Sequence, residues 1–425
     1  YEMVERDWSS DVCSSDLVPG YMVSARALER DAARIKAKRL ERELITARRK
    51  AKDGKDPSRA AQALQAIAAM EEQHRQYQAL AREGTPLDVH PVGTGPFVFE
   101  SASTDNYVQL KRNPAWWFGR STGMADMPYF NGIRVSVIPD PSVRLANLKA
   151  GTLDFIVADA VQYRMVKNDP NLNVVTFPVN WLVYLAFNNA RGPCADIRVR
   201  KAISHAIDRT ALVMGTQFGL GRVSSCLYPD DHWAHNPDLK PVQYDPELSR
   251  RLLAEAGYPR GLTIRGFTHT APEAQAFAKA VMAMLDKVGI TWRPVFLGVT
   301  AMMEPYRRLD FDMLGMLYPW IHEPDHIATL LYDPESPFNN GRSRNEKAIA
   351  LIRQGRQTTD EAKRARIYKE LERALYENYE DAWLWWPTAV LASSRRLEGY
   401  NHEMSLKYGE AYHFSHPQWF RDGRP

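Results

Sequence analysis

The chain has 425 residues, of which 44% are hydrophobic and 25% charged, and its formal net charge is only +4. This length exceeds one ordinary hydrophobic core and predicts two α/β lobes. The composition is ordinary for a globular protein, no apolar run is long enough to span a bilayer, and the small charge gives no indication of a nucleic-acid partner.

Three cysteines are few for a chain of this length. Cys13 lies in a segment that we exclude below, which leaves Cys194 and Cys226. Two alternatives stay open for this pair, a disulfide in an oxidising compartment or two buried free thiols.

Residues 1–17, YEMVERDWSSDVCSSDL, resemble the conceptual translation of a sequencing-library adapter. We treat them as a non-native segment and exclude them from fold reasoning. The native N-terminus, together with a signal peptide, is therefore expected to be missing from this sequence.

A charged helical insert is predicted between Arg26 and Glu83, with a break at Gly54 and Pro57 and a helix cap at Ser58. Its first helix is basic, which would suit a nucleic-acid or membrane-surface element. It lacks the interleaved aromatic residues of a single-strand binder and the broad apolar face of a membrane helix. The pattern favours a solvated helical hairpin packed on one lobe.

Scaffold motifs follow the insert in order. The segment 91–99, PVGTGPFVF, predicts a glycine turn and a strand, and no Lys-Ser or Lys-Thr follows that would make it a nucleotide loop. A strand is predicted over 133–138, and a helix over 142–150 ends at Gly151, a natural C-terminal cap.

The segment 184–208, YLAFNNARGPCADIRVRKAISHAID, predicts a strand, a short Gly-Pro loop and a helix capped by Asp196. The apolar positions of the helix recur at the spacing of one buried face: Val199, Ala202, Ile203, Ala206 and Ile207. Further on, YDPELSRRLLAEAGY (244–258) predicts another helix. A third helix over 276–288 is expected to stop at Gly289 and to lead into a strand from Ile290.

These motifs, kept in order over about 91–400, resemble family 5 extracellular solute-binding proteins, the peptide, dipeptide and nickel receptors of ABC importers. The resemblance implies an α/β fold, that of a two-lobed periplasmic binding protein of type II and the large peptide-binding class, with a ligand cleft between the lobes and an incomplete first lobe. It implies closure about a hinge near Asn188. The domain boundaries that we predict are 1–17 non-native, 18–90 remnant of lobe I with the hairpin, 91–188 lobe I, 189–395 lobe II and 396–425 return to lobe I.

The segment 311–325, FDMLGMLYPWIHEPD, lies where the family has a carboxylate-rich turn that lines the cleft. In peptide-binding members an Asp of that turn receives the ligand's α-amino group, and here its position falls on Trp320 or Ile321. The ammonium anchor is therefore missing, whereas Glu323 and Asp325 retain acidic character. This departure predicts a peptide-like or other small solute instead of a standard free-amine peptide.

The same segment contains His322-Glu323-Pro324-Asp325-His326, which satisfies the H-E-x-x-H pattern of zinc proteases. That chemistry needs both histidines on one face of a helix. Pro324 is tolerated best in the first turn, which would leave His322 ahead of the helix. A zinc-dependent hydrolase is the alternative function, and we favour the assignment of no metal, no cofactor and no catalytic residue.

Trp383-Leu384-Trp385-Trp386-Pro387 predicts a strand, and alternation places Trp383 and Trp385 on one face and Trp386 on the other. The resemblance places an aromatic residue of this strand at the cleft, and we assign ligand stacking to Trp386. The complete set of ligand-binding residues predicted from the sequence is Tyr184, Asn188, Tyr318, Trp320, His322, Glu323, Asp325 and Trp386.

The resemblance thus predicts the substrate-binding component of an ABC importer, not an enzyme. It would be a periplasmic monomer that delivers its solute to a membrane permease served by separate ATPase subunits, and it would not bind nucleic acid.

Overall fold

The computed structural model describes residues 25–53, 57–82, 95–116, 127–308, 310–318, 323–336, 338–339, 341–398 and 419–420. The described residues form two compact units: unit 1 holds those up to Pro139 together with 396–398 and 419–420, and unit 2 holds 140–395. The excluded segment 1–17 lies outside the described residues. The predicted lobe boundaries stay predictions.

Unit 1 begins with a helical hairpin of α1 (Ala25–Asp53) and α2 (Pro57–Ala81), as the sequence predicts. Among the described side chains of the hairpin, four are buried: Ala33, Ala37, Leu44 and Ile67. An ion pair of 2.6 Å between Arg48 and Glu71 also joins the two helices. The prediction of Ser58 as the cap is wrong, because α2 begins at Pro57 and Ser58 lies inside its first turn.

Unit 1 also contains an antiparallel sheet of β1 (Phe97–Ser103), β2 (Tyr107–Arg112) and β3 (Gly132–Ser136), in that spatial order. The predicted strands at the end of the glycine turn and near 133–138 are therefore present. Arg134 stacks over the ring of Tyr107 at 3.8 Å, which adds a cation–π contact between β3 and β2. The short strands β12 (Leu397–Glu398) and β13 (Trp419–Phe420) pair with each other.

Unit 2 is a mixed α/β body. Its elements in chain order are α3 (Pro141–Lys149), β4 (Phe155–Ala158), α4 (Ala160–Val166), β5 (Leu172–Pro178), β6 (Leu182–Phe187), a 3-10 turn (Pro193–Ala195), α5 (Ile197–His205), α6 (Arg209–Gln217), β7 (Gly221–Val223), α7 (Pro246–Glu255), β8 (Leu262–His269), α8 (Pro272–Asp286), β9 (Ile290–Leu297), α9 (Val299–Arg308), β10 (Met313–Tyr318), α10 (Pro324–Tyr332), α11 (Glu346–Gln357), α12 (Glu361–Glu377) and β11 (Asp381–Ser394).

The long strand β11 organises the main sheet, whose order is β10-β6-β11-β4. Its first part pairs antiparallel with β6 and with the short strand β7, and its second part pairs with β5 and β4. β8 and β9 form a separate parallel pair. Pro387 lies where β11 passes from one set of partners to the other.

The described residues of unit 2 form three hydrophobic cores, and β6 contributes to two of them. Leu182, Tyr184 and Ala186 pack into one core with α10, α11 and α12. The alternate residues Val183, Leu185 and Phe187 pack into a second core with α5 and α8. Because both faces are covered, β6 reads as a continuous apolar run. The third core joins α3, β4 and the end of β11.

The predicted alternation of the three tryptophans is wrong. A β-bulge lies between Trp383 and Trp385, which pair with the consecutive residues Tyr184 and Val183 of β6. The extra residue Leu384 shifts the alternation by one position. Trp383 and Trp386 consequently share the first core, whereas Trp385 lies in the second core with Leu384.

The helices predicted from apolar spacing are confirmed in unit 2. Asp196 caps α5 by accepting a hydrogen bond from the Arg198 amide, and Val199, Ala202 and Ile203 are fully buried. Ala206 and Ile207 are also fully buried, but they follow His205, the last residue of the helix, whereas the sequence predicts them within it. Gly289 follows α8 with a φ of +86°, a conformation that favours glycine, and β9 begins at Ile290. None of the described helices combines the length and apolar character needed to cross a membrane.

Cys194 and Cys226 are buried free thiols that lie in different cores. This observation decides between the two alternatives that the sequence leaves open. Cys13 lies outside the described residues.

Candidate functional site

The end of β10 and the start of α10 carry three of the ligand-binding residues predicted from the sequence, Tyr318, Glu323 and Asp325. Tyr318 ends β10 opposite Leu182 at the start of β6, and Glu323 is the N-cap of α10. Trp320 and His322 lie outside the described residues. We call the described part of this region, Tyr318 with Glu323 and Asp325, the corner.

Glu323 is held by two structural roles. Its carboxylate accepts a hydrogen bond from the Asp325 amide at 3.1 Å, which caps the helix. The same carboxylate forms a two-pronged ion pair with the guanidinium of Arg364. The hydrogen bond to Glu323 raises the pKa of Arg364 above its ordinary value.

Asp325 is also paired inside the protein. Its Oδ1 accepts hydrogen bonds from Tyr368 at 3.2 Å and Thr329 at 3.1 Å. Its Oδ2 lies 3.4 Å from Nε of Arg356. Burial, followed by the neighbouring charge of Asp325, raises the pKa of the Tyr368 hydroxyl. Both acidic residues of the corner are therefore neutralised by basic side chains of α11 and α12.

This arrangement does not suit zinc hydrolysis. Pro324 is the first residue of α10, as the sequence predicts, so that His322 precedes the helix in the chain. Glu323 would be the general base, but its carboxylate is already engaged by Arg364. His326 is exposed on the first turn of α10. Within the described ranges, no group of three acidic, histidine or cysteine side chains could hold a metal ion.

An aromatic group beside the corner escapes sequence reasoning. His232 is stacked between Tyr228 and Trp233, with ring centroids 5.4 and 5.5 Å apart. Arg364 lies over the rings of Trp233 and Tyr368, and 43% of Trp233 is exposed. The group joins the 228–233 loop to α12, elements far apart in the sequence, and no local pattern indicates this contact.

Tyr184 lies inside the first core and is 2% exposed. Asp381, the first residue of β11, is near enough for its charge to act on the Tyr184 hydroxyl. The Asp381 carboxylate accepts a hydrogen bond of 2.6 Å from the Tyr332 hydroxyl. Burial raises the pKa of Asp381 to about 7. The pair Tyr332–Asp381 is therefore a buried protonatable group beside Tyr184.

Asn188 is fully buried at the other end of β6. Its Nδ2 donates to the Phe311 carbonyl at 3.0 Å, and its Oδ1 accepts from the amides of Ala190 and Arg191. These bonds stabilise the turn after β6, and they use both polar atoms of the side chain.

Trp386 is fully buried in the first core. The structure therefore brings together Tyr184, Trp386 and the partly buried Tyr318, which all pack in or against that core. Asn188 lies at the opposite end of β6 from Tyr318, because Leu182 pairs with Tyr318 and Phe187 with Met313. Ligand contact by any of these residues stays a prediction.

The chain matches a family model over residues 48–338, and it belongs to that family, the bacterial extracellular solute-binding proteins, family 5. The match spans more than half of the chain and confirms the family predicted from the motifs. The alternating helices and strands of unit 2 agree with the α/β fold of this family.

Curated relatives bind several kinds of solute, according to their names. Heme-binding protein A of Haemophilus influenzae is 28% identical over 309 residues, which cover 69% of this chain and 54% of the relative. Dipeptide-binding protein of Escherichia coli is 25% identical over 334 residues, which cover 75% of this chain and 59% of the relative. The chain thus spans little more than half of the length of these relatives.

Solved structures confirm the fold class. A periplasmic binding protein DppA from Helicobacter pylori, in complex with the peptide STSA, matches with a TM-score of 0.68 and 23% identity, over 79% of this chain and 64% of that one. NikA from Brucella suis, in complex with Fe(III)-EDTA, matches with a TM-score of 0.65 and 26% identity, over 73% and 66%. The chain therefore has the α/β fold of the periplasmic peptide- and nickel-binding proteins.

Proposed function

We propose that this chain acts as the substrate-binding component of an ABC importer and captures a peptide-like or other small solute between two lobes. The observation that carries the proposal is the family match over residues 48–338. The family consists of solute-binding transport proteins, and in this proposal the chain likewise binds its solute without transforming it.

The pairing of the carboxylates in the corner favours a ligand that does not bind there through a free amino group. Glu323 is paired with Arg364, and Asp325 is paired with Arg356 and Tyr368. An ammonium group would have to displace one of these partners, and leaving a cation or a polar group unpaired is costly. The proposed contacts of the ligand are instead stacking and burial against aromatic residues, with the partly buried Tyr318 as one predicted contributor. The predicted stacking on Trp386 requires that its ring become exposed, because it is fully buried in the first core.

In the proposal, a periplasmic monomer closes about a hinge near Asn188, and the closed form delivers the solute to a membrane permease. Separate ATPase subunits would supply the energy. Tyr184, Trp320 and His322 complete the predicted ligand-binding set, and no metal, cofactor or nucleic acid takes part.

A thermal-shift screen of the full chain tests this function. The probes are the peptide STSA, an N-acetylated form of the same peptide, a dipeptide, heme and Fe(III)-EDTA. A bound solute raises the melting temperature by mass action, and titration calorimetry then gives its affinity. We expect at least one probe to stabilise the protein and to be recovered unchanged, and acetylation to leave peptide binding intact.

The result that would overturn the proposal is specific. None of the probes would stabilise the chain, and zinc would instead bind in stoichiometric amount and support peptide hydrolysis. Loss of that hydrolysis in His326→Ala would assign it to the H-E-x-x-H segment. The matched control is His269→Ala, because His269 lies on β8, outside that segment.

A further inference from the structure

A polar cleft of about 520 Å³ lies within unit 2, at the end of β6 that is opposite the corner. The start of β11, the N-terminus of α11 and the C-terminus of α12 surround it. Its volume is in the usual range for a small-molecule site. The charged and polar residues that matter are Asn189, Arg200, Arg344, Lys347, Glu377 and Glu380.

Two residues that line this cleft, Glu380 and Asn189, each carry a buried acceptor atom that has no hydrogen-bond partner among the described residues. Glu380 is only 1% exposed; its Oε1 accepts from Nδ2 of Asn378 at 2.6 Å, but Oε2 has no hydrogen-bond partner. The buried Oδ1 of Asn189 has none either. The two residues are adjacent, since Nδ2 of Asn189 donates to the backbone carbonyl of Glu380 at 3.2 Å. Buried acceptors are normally satisfied, so this pair is suited to a ligand that brings several N–H donors.

The basic residues of the cleft differ in what they can offer. The guanidinium of Arg200 is occupied, because it donates to the carbonyls of Cys194, Ala195, Asn378 and Tyr379. Lys347 is paired with Glu370 at 2.6 Å. Arg344 is exposed, and among the described residues its side chain has neither an ion pair nor a hydrogen bond. Arg344 is therefore the cation that remains available to an anion in the cleft.

We propose that this cleft is a second binding site, which takes a small zwitterion of the α-amino-acid class. Its ammonium group binds at Oε2 of Glu380 and Oδ1 of Asn189, and its carboxylate binds the guanidinium of Arg344. An ammonium donates three hydrogen bonds and satisfies both acceptors, and a guanidinium binds a carboxylate through two parallel bonds. The exposed Glu377 at the cleft adds negative charge, which favours the cationic end and disfavours dianions.

The site is separate from the predicted ligand-binding residues. Asn189 follows the end of β6, whereas Tyr318 pairs with Leu182 at its start. The inference does not rest on the proposed transport function, because all residues that carry it lie in unit 2 and none is in the predicted ligand-binding set.

The test measures the binding of three matched probes to the full chain by saturation-transfer NMR and calorimetry. L-leucine has both charges, N-acetyl-L-leucine lacks the ammonium, and L-leucine amide lacks the carboxylate. We expect L-leucine to bind, and each blocked derivative to bind about tenfold more weakly or not at all, because each loses a charge-assisted contact.

Two variants assign the binding to the cleft. Glu380→Gln should weaken L-leucine binding about tenfold, and Arg344→Ala should do the same and abolish the preference for L-leucine over its amide. The controls Glu335→Gln and Arg353→Ala change exposed residues outside the cleft and should bind as the unmodified chain does. Arg344 is exposed, so its variant keeps the test valid even if the substitution of the buried Glu380 impairs folding.

Two outcomes would overturn the inference. No binding of L-leucine at about 10 mM, far above the useful range of such a site, would mean that the unpartnered acceptors are satisfied by water alone. Binding that is insensitive to both Glu380→Gln and Arg344→Ala would place L-leucine elsewhere on the chain. Neither outcome bears on the solute screen, which concerns a different set of residues.

Discussion

Arg209, the first residue of α6, is a fully buried cation that is satisfied by backbone carbonyls instead of a carboxylate. Its guanidinium donates to the carbonyls of Trp383, Ser204, Ile207 and Val242. Burial lowers its pKa to about 10, so it stays charged at neutral pH. The side chain joins the end of α5, the 242 loop and the start of β11 in one place.

We expect Arg209→Lys to lower the free energy of unfolding by roughly 2–4 kcal/mol. Nε of Arg209 bonds the Trp383 carbonyl and Nη1 bonds the other three, whereas lysine has one donor nitrogen and leaves a buried carbonyl without a donor. Urea unfolding followed by circular dichroism measures the loss. Arg353→Lys, an exchange at an exposed position of α11, is the control. Equal stability of Arg209→Lys and the unmodified chain would mean that the four hydrogen bonds are not needed.

Asp381 gives unit 2 a pH-dependent stability. Burial raises its pKa from the ordinary value of 3.8 to about 7. Because the folded protein holds this proton to a higher pH than the unfolded chain does, the free energy of unfolding falls as the pH rises from 3.8 to about 7. His235 acts in the same direction, since the carboxylate of Glu372, 3.2 Å from Nδ1, raises its pKa.

In Asp381→Asn, we expect the melting temperature to decline less than in the unmodified chain between about pH 5 and about pH 8. Asparagine retains the acceptor for the Tyr332 hydroxyl but cannot ionise. His235→Gln separates the contribution of the histidine, and Asp310→Asn, at an exposed carboxylate, controls for the loss of one negative charge. An unchanged slope in Asp381→Asn would show that Asp381 does not titrate in this range.

Whether a residue's role can be predicted from the sequence depends on how local its partner is. Asp196 caps the helix that follows it, so the cap is visible in the sequence. The partner of Glu323 is Arg364, 41 residues further on, and only the tertiary fold brings them together. The acidic corner could therefore be located from the sequence, but its neutralisation by Arg356 and Arg364 could not.

At the scale of elements, the β-bulge in β11 decides which tryptophans share a core. Leu384 is the extra residue, and its carbonyl accepts a hydrogen bond from the Ser224 amide at 3.0 Å. A backbone partner outside the β6 ladder thus compensates for the interruption. The side chain of Leu384 is fully buried in the second core.

We expect deletion of Leu384 to be tolerated better than deletion of Ala392, because removing the extra residue restores regular alternation and leaves Trp383 and Trp386 on one face. The cost is the burial of one leucine, roughly 2–3 kcal/mol. Ala392 pairs with both β4 and β5. Its deletion would shift the register by one residue, so that the side chains of β11 on one side of the deletion would point to the opposite face of the sheet. Thermal melts of the two deletion variants decide this, and a less stable Leu384 deletion would contradict the compensating role of the bulge.

Regular helices were the most predictable elements. Apolar residues at helical spacing place α5 and α8, and Gly151 and Gly289 fix where the helices before them end. The bulge was not predictable, because five successive apolar residues at 382–386 fit either alternation. The pairing of β11 with β6 and β7 determines which alternation is adopted, and this pairing is a tertiary property.

At the scale of the whole molecule, each unit has its own buried residues. In unit 2, β11 contributes to all three cores. In unit 1, the described residues of the α1–α2 hairpin bury only two alanines, one leucine and one isoleucine, and Ile35, Ile45 and Leu64 are more than half exposed. Its basic residues are partly neutralised within the hairpin, as in Arg39–Glu43 and Arg48–Glu71. These ion pairs favour a solvated hairpin over a nucleic-acid element, which stays a prediction.

We expect replacement of residues 25–82 by a short Gly-Ser linker to leave the main thermal transition of unit 2 within about 2 °C of its original value, because the three hydrophobic cores of unit 2 contain no residue of the hairpin. Differential scanning calorimetry of the two proteins measures this.

The full chain should also fail to bind a duplex oligonucleotide at low salt. Salt-dependent binding that disappears with the hairpin would instead establish nucleic acid as its ligand, since release of counterions gives such binding a steep dependence on salt.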